Sequence, residues 1–292
     1  MADSSTPDLN LYGYVPSPAA GYVFVIIFIL TTLFHTFQAA RSGAWWLFPT
    51  LVIAGVAEVV GWVARTKSAY DATLRMLYII QTTVLVLAPT PLVAALFMGF
   101  GKVVQRLGSE YSRLSPTWYS RFFLTIDIFS LFIQGAGGGM AAQGASDPDK
   151  ARLGSNIILG GLFVQIISMS FFSFLMAEYT WRRSRNQPFH KGDYSHNQQA
   201  FDGKMKMLLV GIVLLTFLVY IRSIYRIAEF ADGFNGSIAH NQTLFIIFDA
   251  LMISLALVIL NIMHPGSLLK TTAQNQTYAL TSTDRDRAPL QY

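Results

Sequence analysis

Along the chain, seven long apolar runs alternate with shorter polar stretches. They lie at roughly 20–40, 46–64, 76–101, 121–143, 156–177, 205–226 and 243–263. Each is long enough to cross a bilayer, which takes about 20 residues of helix. The pattern predicts an all-α, polytopic membrane protein built as a bundle of seven transmembrane helices. The stretch "PSPAAG" marks the start of the first helix, with Ser17 as N-cap and Pro18 at the first helical position. No basic region precedes that first run and no small-residue cleavage site follows it, so it reads as a retained span and not a cleaved signal peptide.

The polar stretches set the organisation. Residues 1–17 read as a polar N-terminal tail, 18–269 as the seven-span domain, and 270–292 as a cytosolic tail. Both tails are rich in small polar residues and are expected to be disordered. The segment "RRSRNQPFHKGDYSHNQQAFDGK" is the longest inner loop, and its basic residues are placed against anionic headgroups. Orientation follows from Lys and Arg. With the N-terminus outside and the C-terminus cytosolic, 14 of the 21 basic residues fall on the inner side, as the positive-inside rule requires. Sequons at Asn235 and Asn241 then lie outside and are candidates for glycosylation. A third, at Asn275, would be cytosolic and unused.

Composition narrows the classes. Charged residues make up 13% of the chain, against about 25% in soluble domains. The net charge of +5 therefore records topology and gives no reason to expect a nucleic-acid partner; membrane lipids are the expected surroundings. Cysteine is absent, which removes disulfides, thiolate metal sites and cysteine nucleophiles.

Ionisable groups inside a span are costly and tend to face the bundle interior or a wet cavity. The second span carries Glu58, with Arg65 near its outer end; the third carries Gln81, the fourth Asp127 and Gln134, the fifth Gln165, and the seventh Asp249. Arg222, Arg226 and Glu229 follow i, i+4, i+7 at the outer end of the sixth span, one continuous stripe. Asp127 and Gln134, seven apart, share a face, and Gly138 continues it. These nine residues, Glu58, Gln81, Asp127, Gln134, Gln165, Arg222, Arg226, Glu229 and Asp249, are the candidate cavity set. Each has a plainer role available. The glutamines serve as interhelical hydrogen-bond glue, Arg65 and Arg222 stand where a long side chain also snorkels to the interface, and the carboxylates form structural ion pairs. Gly135 with Gly139, and Gly160 with Gly161, suit close helix packing. Pro89 and Pro91 predict a kink in the third span that frees backbone carbonyls.

The stretches "AEVVGWVAR", "LAPTPLVAALFMGFGK", "DIFSLFIQGAGGGM", "IRSIYRIAEFADGFNG" and "FDALMISLALVILNIMHPG" resemble signature segments of the fungal RTA-like family, the lipid-translocating exporters. The resemblance runs from "YGYVPSPAAG" to His264-Pro265-Gly266, in order through all seven spans. It implies export or translocation of an amphiphile, such as a sphingoid base or another toxic lipophilic compound, and resistance to it. It also implies residence in the plasma membrane of a fungal cell. One relative in the family is linked to porphyrin traffic, which makes porphyrin or haem handling an alternative. The matching positions are Glu58, Arg65, Asp127, Gln134, Arg222, Arg226, Glu229 and Asp249. Two positions depart from the family pattern: Gln242 stands where Glu is usual, removing a negative charge from the outer mouth, and Lys102 where Arg is usual.

Two other classes compete with a translocator. A sensor or receptor shares the seven-span, N-out architecture, although fold alone does not assign function. The seventh span has no Lys for a retinal Schiff base. An enzyme is not expected: no HxxxH or HExxH pattern occurs, and of five histidines only His35 lies well inside a span. A two-histidine haem site would require His35 and His264 to meet near the inner face. No cofactor and no metal site are expected. The chain has no GxxxxGK[ST] phosphate loop, so movement would be downhill, proton-coupled or dependent on a partner.

Overall fold

The computed structural model describes residues 12, 14–71, 74–142, 148–189, 203–233 and 236–269. Seven helical segments in it are long and apolar enough to span a bilayer: Pro18–Ser42, Trp45–Ser68, Met76–Leu107, Pro116–Ala141, Asp149–Ser184, Gly203–Asp232 and Gln242–Leu269. The expected spans are all present, most of them longer than expected; the third begins at the expected residue and the fourth ends slightly earlier, at Ala141. The protein is an integral membrane protein.

Helix α1 (Pro18–Ser42) begins as its sequence dictates. Ser17 Oγ accepts from the Ala20 N–H, Pro18 occupies the first turn, and Gly43 ends the helix with φ 69° in the left-handed region. Span 2 opens with a 3-10 turn, Trp45–Leu47, passes through a π turn, Phe48–Val52, and continues as α2 (Ile53–Ser68). Span 3 is broken into α3 (Arg75–Leu87) and α4 (Pro89–Leu107). Helices α5 (Pro116–Ala142), α6 (Pro148–Ser184) and α7 (Gly203–Asp232) follow. Span 7 joins α8 (Gln242–Phe245), a second π turn at Ile246–Ala250, and α9 (Leu251–Ile262).

Span 3 runs through the middle of the bundle, with most of its apolar length buried. Around α4, Phe97, Phe100, Tyr119, Phe123 and Phe172 form a fully buried aromatic cluster. Phe97 meets Phe172 at 4.8 Å and Phe100 meets Tyr119 at 5.1 Å, both edge to face, the arrangement that ring quadrupoles favour. Phe34, Phe37, Phe129, Phe132, Phe174 and Phe217 point outward, where lipid replaces water as the solvent of the apolar surface.

Close packing of α5 on α6 depends on only one of the four glycines the spacing suggested, Gly161, and on two others, Gly137 and Gly154. A Cβ at Gly135, Gly139 or Gly160 would meet nothing within 4 Å. One at Gly137 would come within 2.7 Å of the Gly154 carbonyl oxygen, one at Gly154 within 2.5 Å of the Ala141 nitrogen, and one at Gly161 within 3.0 Å of the Ser130 carbonyl oxygen. Small-residue spacing marks candidates but not which face turns toward the partner, and Gly154 stood before the expected start of its span. Of the tails, 1–11, 13 and 270–292 lie outside the described residues. The described part of the first tail packs onto the bundle: Tyr12 is buried, and the Ser17 N–H donates to Gln242 Oε1 at 3.2 Å.

Gly154→Val is expected to force α5 and α6 apart against backbone atoms and to lower the melting temperature sharply or abolish the folded protein. Gly135→Ala and Gly160→Ala, with open space at the Cβ, are expected to melt within a few degrees of the unaltered protein. Thermal unfolding of the purified variants in detergent checks the contrast.

Candidate functional site

Six of the nine candidate residues, Glu58, Gln81, Arg222, Arg226, Glu229 and Asp249, converge at one end of the bundle, where α2, α3, α7, span 7 and the residues before α1 meet. The stripe on α7 supplies Arg222, Arg226 and Glu229. Arg226 donates to both oxygens of Asp249, Nε to Oδ1 and Nη2 to Oδ2, each at 2.8 Å, and its Nη1 donates to Glu229 Oε2 at 2.8 Å. This is the two-pronged arginine–carboxylate geometry that gives the strongest charge-assisted hydrogen bonds. Asp249 sits in the π turn Ile246–Ala250, an irregularity that recurs at functional positions because it re-aims side chains within a helix.

Arg222 joins the same carboxylate. Its Nε lies 2.7 Å from Asp249 Oδ1, a charge contact and not a directed hydrogen bond, while Nη2 donates to the Leu85 carbonyl at 2.7 Å. That carbonyl is the one freed by Pro89: proline has no N–H to return to residue i−4. The kink predicted from the sequence thus creates an acceptor inside the bundle, and an arginine from another helix satisfies it. The snorkelling alternative does not hold for either arginine, because Arg65 and Arg222 are only 3% and 5% exposed.

Glu58, on α2, is 2% exposed and lies within Coulombic reach of Asp249, Arg222 and Arg226, with no hydrogen-bond or ion-pair partner among the described residues. Two turns along α2, Arg65 donates from Nη2 to the Tyr14 hydroxyl at 2.7 Å and from Nη1 to Gln81 Oε1 at 3.3 Å. Tyr12 also donates to Gln81 Oε1, at 2.8 Å. The Phe245 ring lies between two guanidiniums, 4.4 Å from that of Arg65 and 5.3 Å from that of Arg226, a cation–π contact on each. These groups border a cleft of about 540 Å3, open solvent included, lined by Tyr12, Tyr14, Arg65, Gln81, Arg226 and Glu229 among others.

The remaining candidates stand apart. Gln134 Nε2 donates to Gln165 Oε1 at 3.3 Å across the α5–α6 contact, which is the interhelical glue role. Asp127 is buried with its Oδ2 lacking any hydrogen bond, and Ser130 Oγ bonds only its backbone carbonyl. None of these three lines the cleft. Asn241 is exposed and caps α8, accepting from Thr243 and Leu244 N–H groups; Asn235 lies outside the described residues. The aromatic residues of the cleft were not singled out from the sequence, because Tyr12 and Tyr14 sat in what read as a polar tail. Their signal was two tyrosines just before a helix N-cap.

His35 and His264 do meet, with ring centroids 6.1 Å apart. His35 Nε2 donates to the Leu257 carbonyl, and His264 Nδ1 accepts from the Ser267 N–H. At this level α1 and α9 are bonded directly, Gln38 Nε2 to the Asn261 carbonyl and Asn261 Nδ2 to that of Thr31. A porphyrin disc between the rings would have to break those bonds and part the helices, so the pair does not fit haem ligation.

The fold and site together define a seven-span α-helical membrane protein with a buried ion network beneath a cleft at one end. The chain belongs to a family: the model described as "RTA1 like protein" matches residues 51–272. Among similar proteins of Saccharomyces cerevisiae, Protoporphyrin uptake protein 1 is 30% identical over 285 residues, covering 85% of this chain and 89% of that protein. The sphingoid long-chain base transporter RSB1 is 26% identical over 289 residues, covering 89% and 75%. Protein RTA1 is 29% identical over 281 residues, covering 88% and 85%. No solved structure matches the chain.

Arg222→Met should leave the Leu85 carbonyl unpaired and cost about 1–3 kcal/mol for that group, in addition to the lost charge contact. Pro89→Ala in the same chain, by returning an N–H to residue 85, should recover part of the loss. Unfolding measurements on both variants and the double variant check this; no recovery would mean the carbonyl carries none of the cost.

Proposed function

We propose that this protein is a translocator or exporter of amphiphilic molecules, with sphingoid bases and related toxic lipophiles as its substrates, and that it confers resistance to them. The observation that carries the reading is the cleft itself, which combines aromatic rings with buried charge at the end of a seven-span bundle. An amphiphile needs both surfaces, apolar area for its chain and charged or hydrogen-bonding groups for its head. The names of two relatives point the same way, one to sphingoid long-chain bases and one to protoporphyrin. The porphyrin reading is the second candidate, favoured by a relative aligned over most of both chains. No catalytic role is proposed.

In this reading the N-terminus is outside and the cleft opens on the outer face of the plasma membrane of a fungal cell. Arg106, Arg113, Arg182 and Arg183 lie at the opposite end of the bundle, in accord with the positive-inside rule. Glu58 and Asp127 are the working carboxylates. Both are buried without a fixed partner, so each is available to a passing cation or proton, whereas Asp249 is already held by two arginines.

The test is movement of a fluorescent sphingoid base, and separately of a porphyrin, in sealed vesicles containing only the purified protein, with and without a pH gradient. The unaltered protein should move at least one of them. Glu58→Gln and Asp127→Asn should reduce the rate tenfold or more at unchanged protein content. If no amphiphile moves, the translocator reading fails and a sensor takes its place; loss of folded protein in the variants would make the carboxylates structural.

A further inference from the structure

Charge balance in the cleft leaves one group unmatched. The Arg, Lys, Asp and Glu residues lining it are Arg65, Arg226 and Glu229. Glu229 is taken by Arg226, which also holds Asp249. Arg65 has only neutral partners, the Tyr14 hydroxyl and the Gln81 side-chain oxygen. No carboxylate forms an ion pair with it among the described residues. Yet its residue is 97% removed from solvent (3% exposed). A buried guanidinium without a counter-charge is costly, because two neutral hydrogen bonds do not replace its hydration.

The surroundings of Arg65 are those of a receptor. Its guanidinium carbon stands 5.7 Å from the centroids of both Tyr12 and Tyr14, 5.8 Å from Trp62 and 4.4 Å from Phe245. Those rings hold the planar group in place and keep water from it. A guanidinium has five N–H donors, and two are engaged here. The free N–H groups border a cleft, and a forked cation matches the two oxygens of a carboxylate.

We propose that Arg65 is the headgroup receptor for an amphiphile bearing a carboxylate, which supplies the missing counter-charge while its apolar part lies along Tyr12, Tyr14 and Phe245. The inference rests on the reading of the cleft as a ligand site, but it makes a separate claim: the preferred head is an anion. The ammonium of a sphingoid base would be repelled at this position and would have to be met deeper, at Glu58.

The test is equilibrium binding to the purified full chain in lipid nanodiscs, read by tryptophan fluorescence, which Trp62 places next to the site. Three probes share a sixteen-carbon chain: hexadecanoate, hexadecylamine and hexadecanol. Hexadecanoate should bind at least tenfold more tightly than hexadecanol. Arg65→Gln should erase that difference, Arg65→Lys should keep part of it, and neither should weaken binding of the amine. Equal binding of acid and alcohol by the unaltered protein, preference for the amine, or an unchanged acid preference in Arg65→Gln would each overturn the proposal. If Arg65→Gln does not fold, the probe series on the unaltered protein and Arg65→Lys decides. Acid preference without any vesicle transport would sink the translocator and spare this site; transport without acid preference would do the reverse.

Discussion

Asp249 is held by two arginines from the same face of α7, and the upper half of the bundle is organised around that contact. Arg226 ties α7 to span 7 through both carboxylate oxygens, and Arg222 extends the tie to the Leu85 carbonyl in the broken centre of span 3. Three spans are therefore joined by one buried constellation, and Glu58 brings a fourth into its field. Lipid offers no apolar driving force between helices, so packing and polar contacts must supply specificity. Here the glycine contact of α5 with α6 does so by shape, and the arginine–aspartate cluster does so by charge.

The cluster also explains the cleft. Because Asp249 and Glu229 are occupied by Arg226 and Arg222, the charges that remain open are Glu58 below and Arg65 above, two turns apart on one helix, about 10 Å along its axis. Phe245 separates the two guanidiniums that would otherwise repel each other across the mouth. Residues that tie the helices together thus stand next to residues with no fixed counter-charge. Substitutions of the first kind should unfold the protein; those of the second should leave the fold in place.

Much of the architecture was legible in the sequence because bilayer thickness and helix chemistry leave few choices. Seven apolar runs became seven spans; Ser17 and Pro18 start α1 where the capping rule puts them; Pro89 breaks span 3. The charged stripe on α7 was legible for the same reason, since i, i+4, i+7 positions share a face whatever they touch. Rotation about a helix axis was not legible. Spacing proposed Gly135, Gly139, Gly160 and Gly161 as contacts; of these only Gly161 is one, and it is joined by Gly137 and Gly154. Asp127 and Gln134 share a stripe, but Gln134 bonds to Gln165 and Asp127 stays alone. Arg65 read equally well as a snorkelling residue, and only its aromatic neighbours, two of them from a polar-looking tail, show that it is enclosed.

The cluster's role is tested most directly by a double-mutant cycle on Arg226 and Asp249, with unfolding free energies of Arg226→Met, Asp249→Leu and the double variant measured in one detergent. Breaking a buried ion pair by removing one partner costs about 3–5 kcal/mol; here Arg222 stays beside Asp249 and Glu229 beside Arg226, which sets the loss toward the lower end. If the cluster holds the bundle together, each single variant loses stability on that scale, and the double variant loses clearly less than the two losses combined. Small losses that simply add would contradict it, and would mean that the bundle is held by packing alone.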